Sequence, residues 1–252
     1  VAVADFDRNR YPDICVTNFS NQINDLFANI GPAGFVSASQ GSGLDAVSRL
    51  PLSFGVAFGD FNLDGWPDLF FANGHIWDQS ALGDEFEYRM TPYVLLNEAG
   101  VRFQNVSATA GNYFTAKWIG RSVATGDLDN DGDCDLVVTH LDDAPAVLRN
   151  DSVRRSRSLR IKLVGTASSR QPNGARIEVR SEGAVYAMDV PAGGSFQASH
   201  SPVVVVPVGP TSTCVRVDVH WPGGNVTTWS DIYIVDQLDA TYVLVEGEVQ
   251  AF

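Results

Sequence analysis

Cysteine is scarce in this chain. Its 252 residues hold only Cys15, Cys134 and Cys214, an odd set without a C-x-x-C pair, so neither a disulfide framework nor a thiolate zinc site can be read from them. Histidine is equally thin. His75, His140, His200 and His220 are scattered with no metal-ligand or catalytic spacing, and His75 and His140, each a few residues past an acidic loop at a strand end, are expected to be hydrogen-bonded structural residues. No G-x-S-x-G elbow presents a serine nucleophile. No apolar run reaches the length of a membrane span, because residues 203–206 form a short valine run bracketed by Pro202 and Pro207 that reads as a buried strand. Positive charge is also in deficit: 17 basic residues face 30 acidic ones, for a net charge of −13. That balance argues against a nucleic-acid surface and suits cation binding.

The acidity is local. Residues 1–150 carry 20 acidic against 8 basic residues, or −12, while 151–252 carry 10 against 9, or −1. The length allows one large or two modest domains, and the shift in charge places a boundary between 1–150 and 151–252. At that junction Arg154-Arg155-Ser156-Arg157 is the one basic cluster, expected to be a solvated linker. The chain opens at Val1, already inside a repeat, so an upstream segment, either a signal peptide or further repeats, is expected.

What the acidic part does contain is a repeated loop. Asp127-Leu128-Asp129-Asn130-Asp131-Gly132-Asp133-Cys134-Asp135 packs five carboxylates into nine residues, a density that calls for a neutralising cation. Side-chain oxygens of Asp127, Asp129 and Asp131 would converge, Gly132 would turn the chain at positive φ, the carbonyl of Asp133 would add a ligand, and Asp135 would close the shell. Hard oxygen donors in that number suit Ca²⁺. An EF-hand would need a bidentate Glu at the twelfth position, where Val138 stands in a strand-like run, so the loop is expected between β-strands.

The pattern recurs. Asp60, Asn62, Asp64, Trp66 and Asp68 fill the same slots before the apolar run Leu69-Phe70-Phe71, and Asp5, Asp7, Asn9, Tyr11 and Asp13 fill them before Ile14-Cys15-Val16. Trp66 and Tyr11 occupy the carbonyl slot of Asp133, with their rings expected to pack over a neighbouring blade. Ligand charge ranks the third loop as the tightest site, the second next and the first weakest, since the first has Asn9 for a carboxylate and Arg10 where glycine should turn the chain. After each loop comes an aliphatic-x-Asn signature, ending at Asn29, Asn97 and Asn150. Each unit thus reads as strand, loop, strand and a further strand pair, although the third stops after Asn150. The insertion at 75–90, with Asp78, Asp84, Glu85 and Glu87, is expected to be a surface loop. Gly41-Ser42-Gly43-Leu44-Asp45-Ala46 fits the dinucleotide fingerprint in letters but lacks its strand-to-helix setting, and is set aside.

On these three loops and their introducing Val-Ala strands, residues 1–150 resemble FG-GAP or VCBS repeats, the calcium-bearing blades of integrin-type β-propellers. The second half resembles the ASPIC/UnbV domain through Asn173-Gly174-Ala175-Arg176, Gly193-Gly194-Ser195-Phe196 and Val217-Asp218-Val219-His220-Trp221-Pro222-Gly223-Gly224. The resemblance implies an all-β protein: a partial β-propeller of three blade-like repeats plus a small, short-stranded C-terminal β-domain. It also implies a secreted or cell-surface calcium-binding module that contacts an extracellular protein or glycan. The alternative it leaves is an enzyme, such as a lyase, a hydrolase or a natural-product biosynthesis protein, with a site on the propeller face. Three blades cannot close a ring, so either further blades lie upstream or this is an open fragment, expected to associate through its first blade.

Overall fold

A short apolar run such as Leu69-Phe70-Phe71-Ala72 buries itself best as a strand covered on both faces, and the chain provides those covers by repeating the unit. A computed structural model describes residues 1–78, 87–190, 192–234, 240–248 and 251; Asp84 and Glu85 of the insertion lie outside them. The first unit is an antiparallel meander of β1 (Ala2–Ala4), β2 (Asp13–Val16), β3 (Asp25–Asn29) and β4 (Phe35–Ser37). The second repeats it as β5 (Ser53–Gly59), β6 (Asp68–Asn73), β7 (Tyr93–Glu98) and β8 (Arg102–Asn105). The third has β9 (Gly120–Gly126), β10 (Asp135–His140) and β11 (Ala146–Leu148), with no fourth strand among the described residues.

Period-2 alternation decides the packing. Along β6, Leu69 and Phe71 join a core with Phe6, Cys15, Leu26, Leu95 and Phe103, between the first and second units. Phe70 and Ala72 point the other way, into a core with Phe61, Val94, Phe114, Val123 and Leu136 between the second and third. The sheets therefore stack face to face, as blades do.

The second half forms two sheets around one core. Strands β12 (Arg157–Val164), β13 (Arg176–Ser181), β14 (Ala184–Asp189), β15 (Val203–Gly209), β16 (Cys214–His220), β17 (Val226–Tyr233) and β18 (Thr241–Val245) assemble in the orders β15-β12-β18 and β14-β13-β16-β17. Ile161, Val206 and Leu244 from the first of these sheets meet Ile177, Val217 and Trp229 from the second. The short strands expected here are not found, since β12 and β17 each run eight residues. The 203–206 valine run is a strand as read, and it continues through Pro207, which sits beside a register shift opposite Arg157 and Ser158 where a missing N–H does least harm. Trp221 is the buried corner residue before its turn, its N–H donating to Asn225 O at 2.8 Å.

All five sheets turn one edge strand inward. Residues of β1, β5, β9, β15 and β14 line a single central cavity of about 440 Å³, which makes the array a five-bladed propeller in which the second half supplies the last two blades. The open edges expected of three blades are thus covered from within the chain. Between β14 and β15, Gly193-Gly194-Ser195-Phe196 reaches the second blade: Val56 N–H donates to Ser195 Oγ at 2.8 Å, and Phe196 meets Phe54 edge-on. The Gly41-Ser42-Gly43 stretch leads into one helical turn, α1 (Leu44–Ser48), between the first two blades.

Candidate metal centre

The three loops join β1 to β2, β5 to β6 and β9 to β10, so the blade topology brings them to one end of the propeller. Their backbones match slot by slot. Gly132 and Gly65 take positive φ at the sixth position, as the spacing predicts, and Arg10 is held at φ +75° there in the first loop. The fourth position is also left-handed in every loop, at Arg8, Leu63 and Asn130; only Asn130 gave any hint of it, since asparagine tolerates this region. Exposed Arg10 keeps a strained conformation that glycine adopts freely. We expect Arg10→Gly to raise stability by about 1 kcal/mol, measured by urea unfolding; a loss of stability would show that the Arg10 side chain contributes more than its strain costs.

The first and last aspartates hold each loop shut. Asp60 accepts from Asp64 N–H at 3.0 Å and Gly65 N–H at 2.7 Å, and Asp127 accepts from Asp131 N–H at 3.1 Å and Gly132 N–H at 3.0 Å. The ninth-slot aspartates bridge loop to strand. Asp13 accepts from Phe6 and Asn29 N–H, Asp68 from Phe61 and Asn97 N–H, and Asp135 from Leu128 and Asn150 N–H, all at 2.7–2.9 Å. Here the aliphatic-x-Asn signature finds its reason. Asn97 Nδ2 donates to Phe6 O of the preceding blade and to Pro67 O of its own, both at 2.9 Å, and Asn150 Nδ2 donates to Phe61 O at 2.8 Å, so these two asparagines staple their blades to the one before.

Two of the three loops gather carboxylates. Oxygens of Asp5, Asp7 and Asp13 lie within 4.8 Å of one another, as do those of Asp127, Asp129 and Asp135. Among the described residues Asp60, Asp64 and Asp68 do not converge in this way; Asn62 instead accepts from Asp64 N–H at 3.0 Å. The first loop, ranked last by charge, is thus one of the two assembled sets. Its Asp5 is only 6% exposed and its Oδ1 has no hydrogen-bond donor; Asp133 Oδ1 is in the same position in the third loop. Burial pushes the Asp5 carboxyl up to about 6, those of Asp13 and Asp60 to about 7 and that of Asp68 to about 8. Clustered hard oxygens, some lacking donors, fit a calcium ion at the first and third loops.

The positive charge already present comes from the second half. Arg154 pairs with Asp131 and, at 3.2 Å, with Asp133; Arg155 reaches Asp64 at 3.2 Å; Arg160 Nε lies 2.9 Å from Asp127 Oδ2; and Arg176 lies 3.6 Å from Asp5 Oδ2. The start of the basic cluster is exposed, as a linker's would be, but its arginines are partnered. Arg154 and Arg155 are held by loop aspartates, while Arg157 donates to Ser212 O and Ile234 O. The fourth-slot residues take part too: Ser156 Oγ donates to Leu63 O, Arg160 to Asn130, and the Arg8 guanidinium lies between the Trp66 and Tyr186 rings, 4.9 and 4.7 Å from their centroids, while donating to Val185 O.

The remaining sequence candidates resolve simply. Tyr11 packs on Gly31 and Trp66 on Gly100, each at the outer hairpin of its own blade, and only Trp66 adds a neighbour, Arg8. Packing over a neighbouring blade thus holds for Trp66, through Arg8 of the first blade, and is corrected for Tyr11, whose ring lies at the outer hairpin of its own sheet. His75 accepts from Trp77 N–H at 3.2 Å; His140 contacts the Tyr113 hydroxyl at 2.8 Å and stacks on Trp118.

Comparison with protein families agrees with this geometry. The model of the FG-GAP-like repeat matches residues 5–71, spanning the first two loops, and the model named ASPIC and UnbV matches 165–251. No curated protein is matched. The chain therefore carries an FG-GAP-like repeat over residues 5–71, followed by an ASPIC and UnbV domain over 165–251.

Proposed function

We propose that this chain is an extracellular module whose calcium-loaded loops fix one end of the propeller while the opposite end meets another macromolecule, a protein or a glycan. The observation that carries the reading is the convergence of Asp5, Asp7 and Asp13, and of Asp127, Asp129 and Asp135, in loops of matching backbone. Calcium supplies charge neutralisation there. The role of the chain's own residues is to hold the carboxylates in place through the backbone donors at the first and ninth slots. Asp129, Asp131, Asp7, Asn9 and Asn62 are assigned as side-chain ligands, and Asp133, Tyr11 and Trp66 as carbonyl ligands, in the same reading. The division into units at residue 150 belongs to it as well.

The face offered to a partner lies at the other ends of the inner strands. There Thr17, Asn18, Phe19, Phe54, Ser195 and Phe196 line an open groove, with Phe19 and Trp77 exposed beside it. Aromatic rings next to hydroxyls and amides suit both sugars and protein side chains. Among the described residues no helix is long and apolar enough to cross a membrane. Calcium titration by calorimetry tests the metal: binding in the wild type that is weakened by Asp7→Ala and by Asp129→Ala is expected, and heats equal to buffer would end the reading. A glycan array probed with wild type and Phe19→Ala then separates glycan from protein as the partner.

A further inference from the structure

We propose that Arg160 and Arg154 are built-in counter-ions of the third loop, so that this loop takes up a divalent cation only as the guanidiniums yield, and that the first loop is consequently the tighter site. The inference rests on the calcium reading of these loops. Counting carboxylates ranks the third loop first. The side-chain geometry reverses that order.

Both Asp127 oxygens are already engaged. Its Oδ1 accepts from Asp131 N–H, its Oδ2 accepts from Gly132 N–H, and the same Oδ2 lies 2.9 Å from Arg160 Nε. Both side chains are buried, Arg160 at 9% exposure and Asp127 at 1%, so solvent screens the pair little. A second contact, from Arg160 to Asn130 Oδ1, fixes the guanidinium against the fourth slot. Arg154 takes Asp131 and Asp133, and donates to Asp131 O at 2.6 Å. That leaves the cluster of Asp127, Asp129 and Asp135 beside a permanent positive charge, since an arginine cannot release its proton.

The first loop differs at the equivalent atoms. Asp5 Oδ2 accepts from Arg10 N–H at 2.8 Å and sees Arg176 only at 3.6 Å, while Asp5 Oδ1 is buried without a donor. Arg176 is also shared with Asp189 and Glu178. A cation entering here meets an unsatisfied oxygen and a distant guanidinium. At the third loop Asp133 Oδ1 is likewise buried without a donor, but the first-slot oxygen, Asp127 Oδ2, is already paired with a guanidinium.

Uptake at the third loop is therefore coupled to the contact between β12 and the third blade. Ser158 Oγ, two residues before Arg160, donates to Gly132 O, so the strand and the loop are bonded at adjacent points. Displacing Arg160 loosens that seam, and whatever tightens the seam weakens the cation site, the two being reciprocal.

The test is calorimetric titration of the whole chain with calcium chloride in a background of Asp7→Ala and Asp64→Ala, which leaves the third loop intact. Adding Arg160→Met is expected to tighten binding about tenfold, the loss of one charge-assisted pair, and Arg160→Lys to give a smaller gain. Without the background changes, Asp129→Ala, which reports the first loop, is expected to bind more tightly than Asp7→Ala, which reports the third. Affinity that Arg160→Met leaves unchanged, but that Asp129→Ala abolishes in the same background, overturns the inference and leaves the calcium reading standing. Absence of binding in the background protein and in its Arg160→Met derivative alike overturns the calcium reading of this loop instead. Should Arg160→Met fail to fold by circular dichroism, Arg154→Met carries the test, with a rise of about threefold expected and no change counting against the inference.

Discussion

Replacing Asn97 with alanine is expected to cost about 3 kcal/mol of stability, a larger loss than an ordinary polar substitution produces. Its side chain is 3% exposed and makes three hydrogen bonds: Nδ2 to Phe6 O and to Pro67 O, and Oδ1 from Gly100 N–H. Alanine would strip these buried groups of the partner and leave a cavity no water-sized polar group can fill as well. The first blade provides an internal comparison. Asn29 stands at the same signature position, but its Nδ2 donates to Pro12 O of its own blade, with no bond to a neighbouring blade among the described residues. Asn29→Ala should therefore cost only about 1–2 kcal/mol. Urea unfolding of the two variants decides: equal losses would mean that the asparagine serves its own turn and not the seam between blades.

Removing calcium is expected to lower the melting temperature by about 10 °C or more. A ligand at about 100 times its Kd adds roughly 2.7 kcal/mol per site to the folded state. Two assembled loops then contribute about 5 kcal/mol, and a chain of this size shifts by roughly 2–4 °C per kcal/mol. The direction follows from charge. In the bare loops burial holds the carboxyls of Asp5 and Asp13, and those of Asp60 and Asp68, well above the usual carboxylate range. Since Arg154, Arg155, Arg160 and Arg176 join the loops to the second half, the transition should remain a single one. Calorimetric scans with and without EDTA measure it. Melting within 2 °C in both would mean that the arginines alone neutralise the loops, with no contribution from calcium.

Much of the first half was legible because its signals are local. Alternating carboxylates with glycine at the sixth slot give the loop, and the positive φ of Gly65 and Gly132 is what that glycine is for. The apolar runs after each loop give strands, and the run Leu69-Phe70-Phe71 gives a strand buried on both sides. Asn29, Asn97 and Asn150 were visible as a recurring letter but not as a staple. The second loop ranked just behind the third by charge, yet among the described residues its carboxylates stay apart.

What escaped the sequence depends on residues far apart along the chain. Spacing and periodicity report neighbours within a turn or a strand, whereas Arg176 meets Asp5 and Arg8 meets Val185 only after five sheets have closed around one cavity. The sequence by itself determined the repeat, the strand pattern and the acidic end, since each follows from side-chain alternation and turn chemistry within a few residues. The tertiary structure alone decided that the second half completes the ring and that its arginines stand against the loops. Sheet order and ion pairing are set by which buried faces and charges must be covered, and that choice is made by packing across the whole chain.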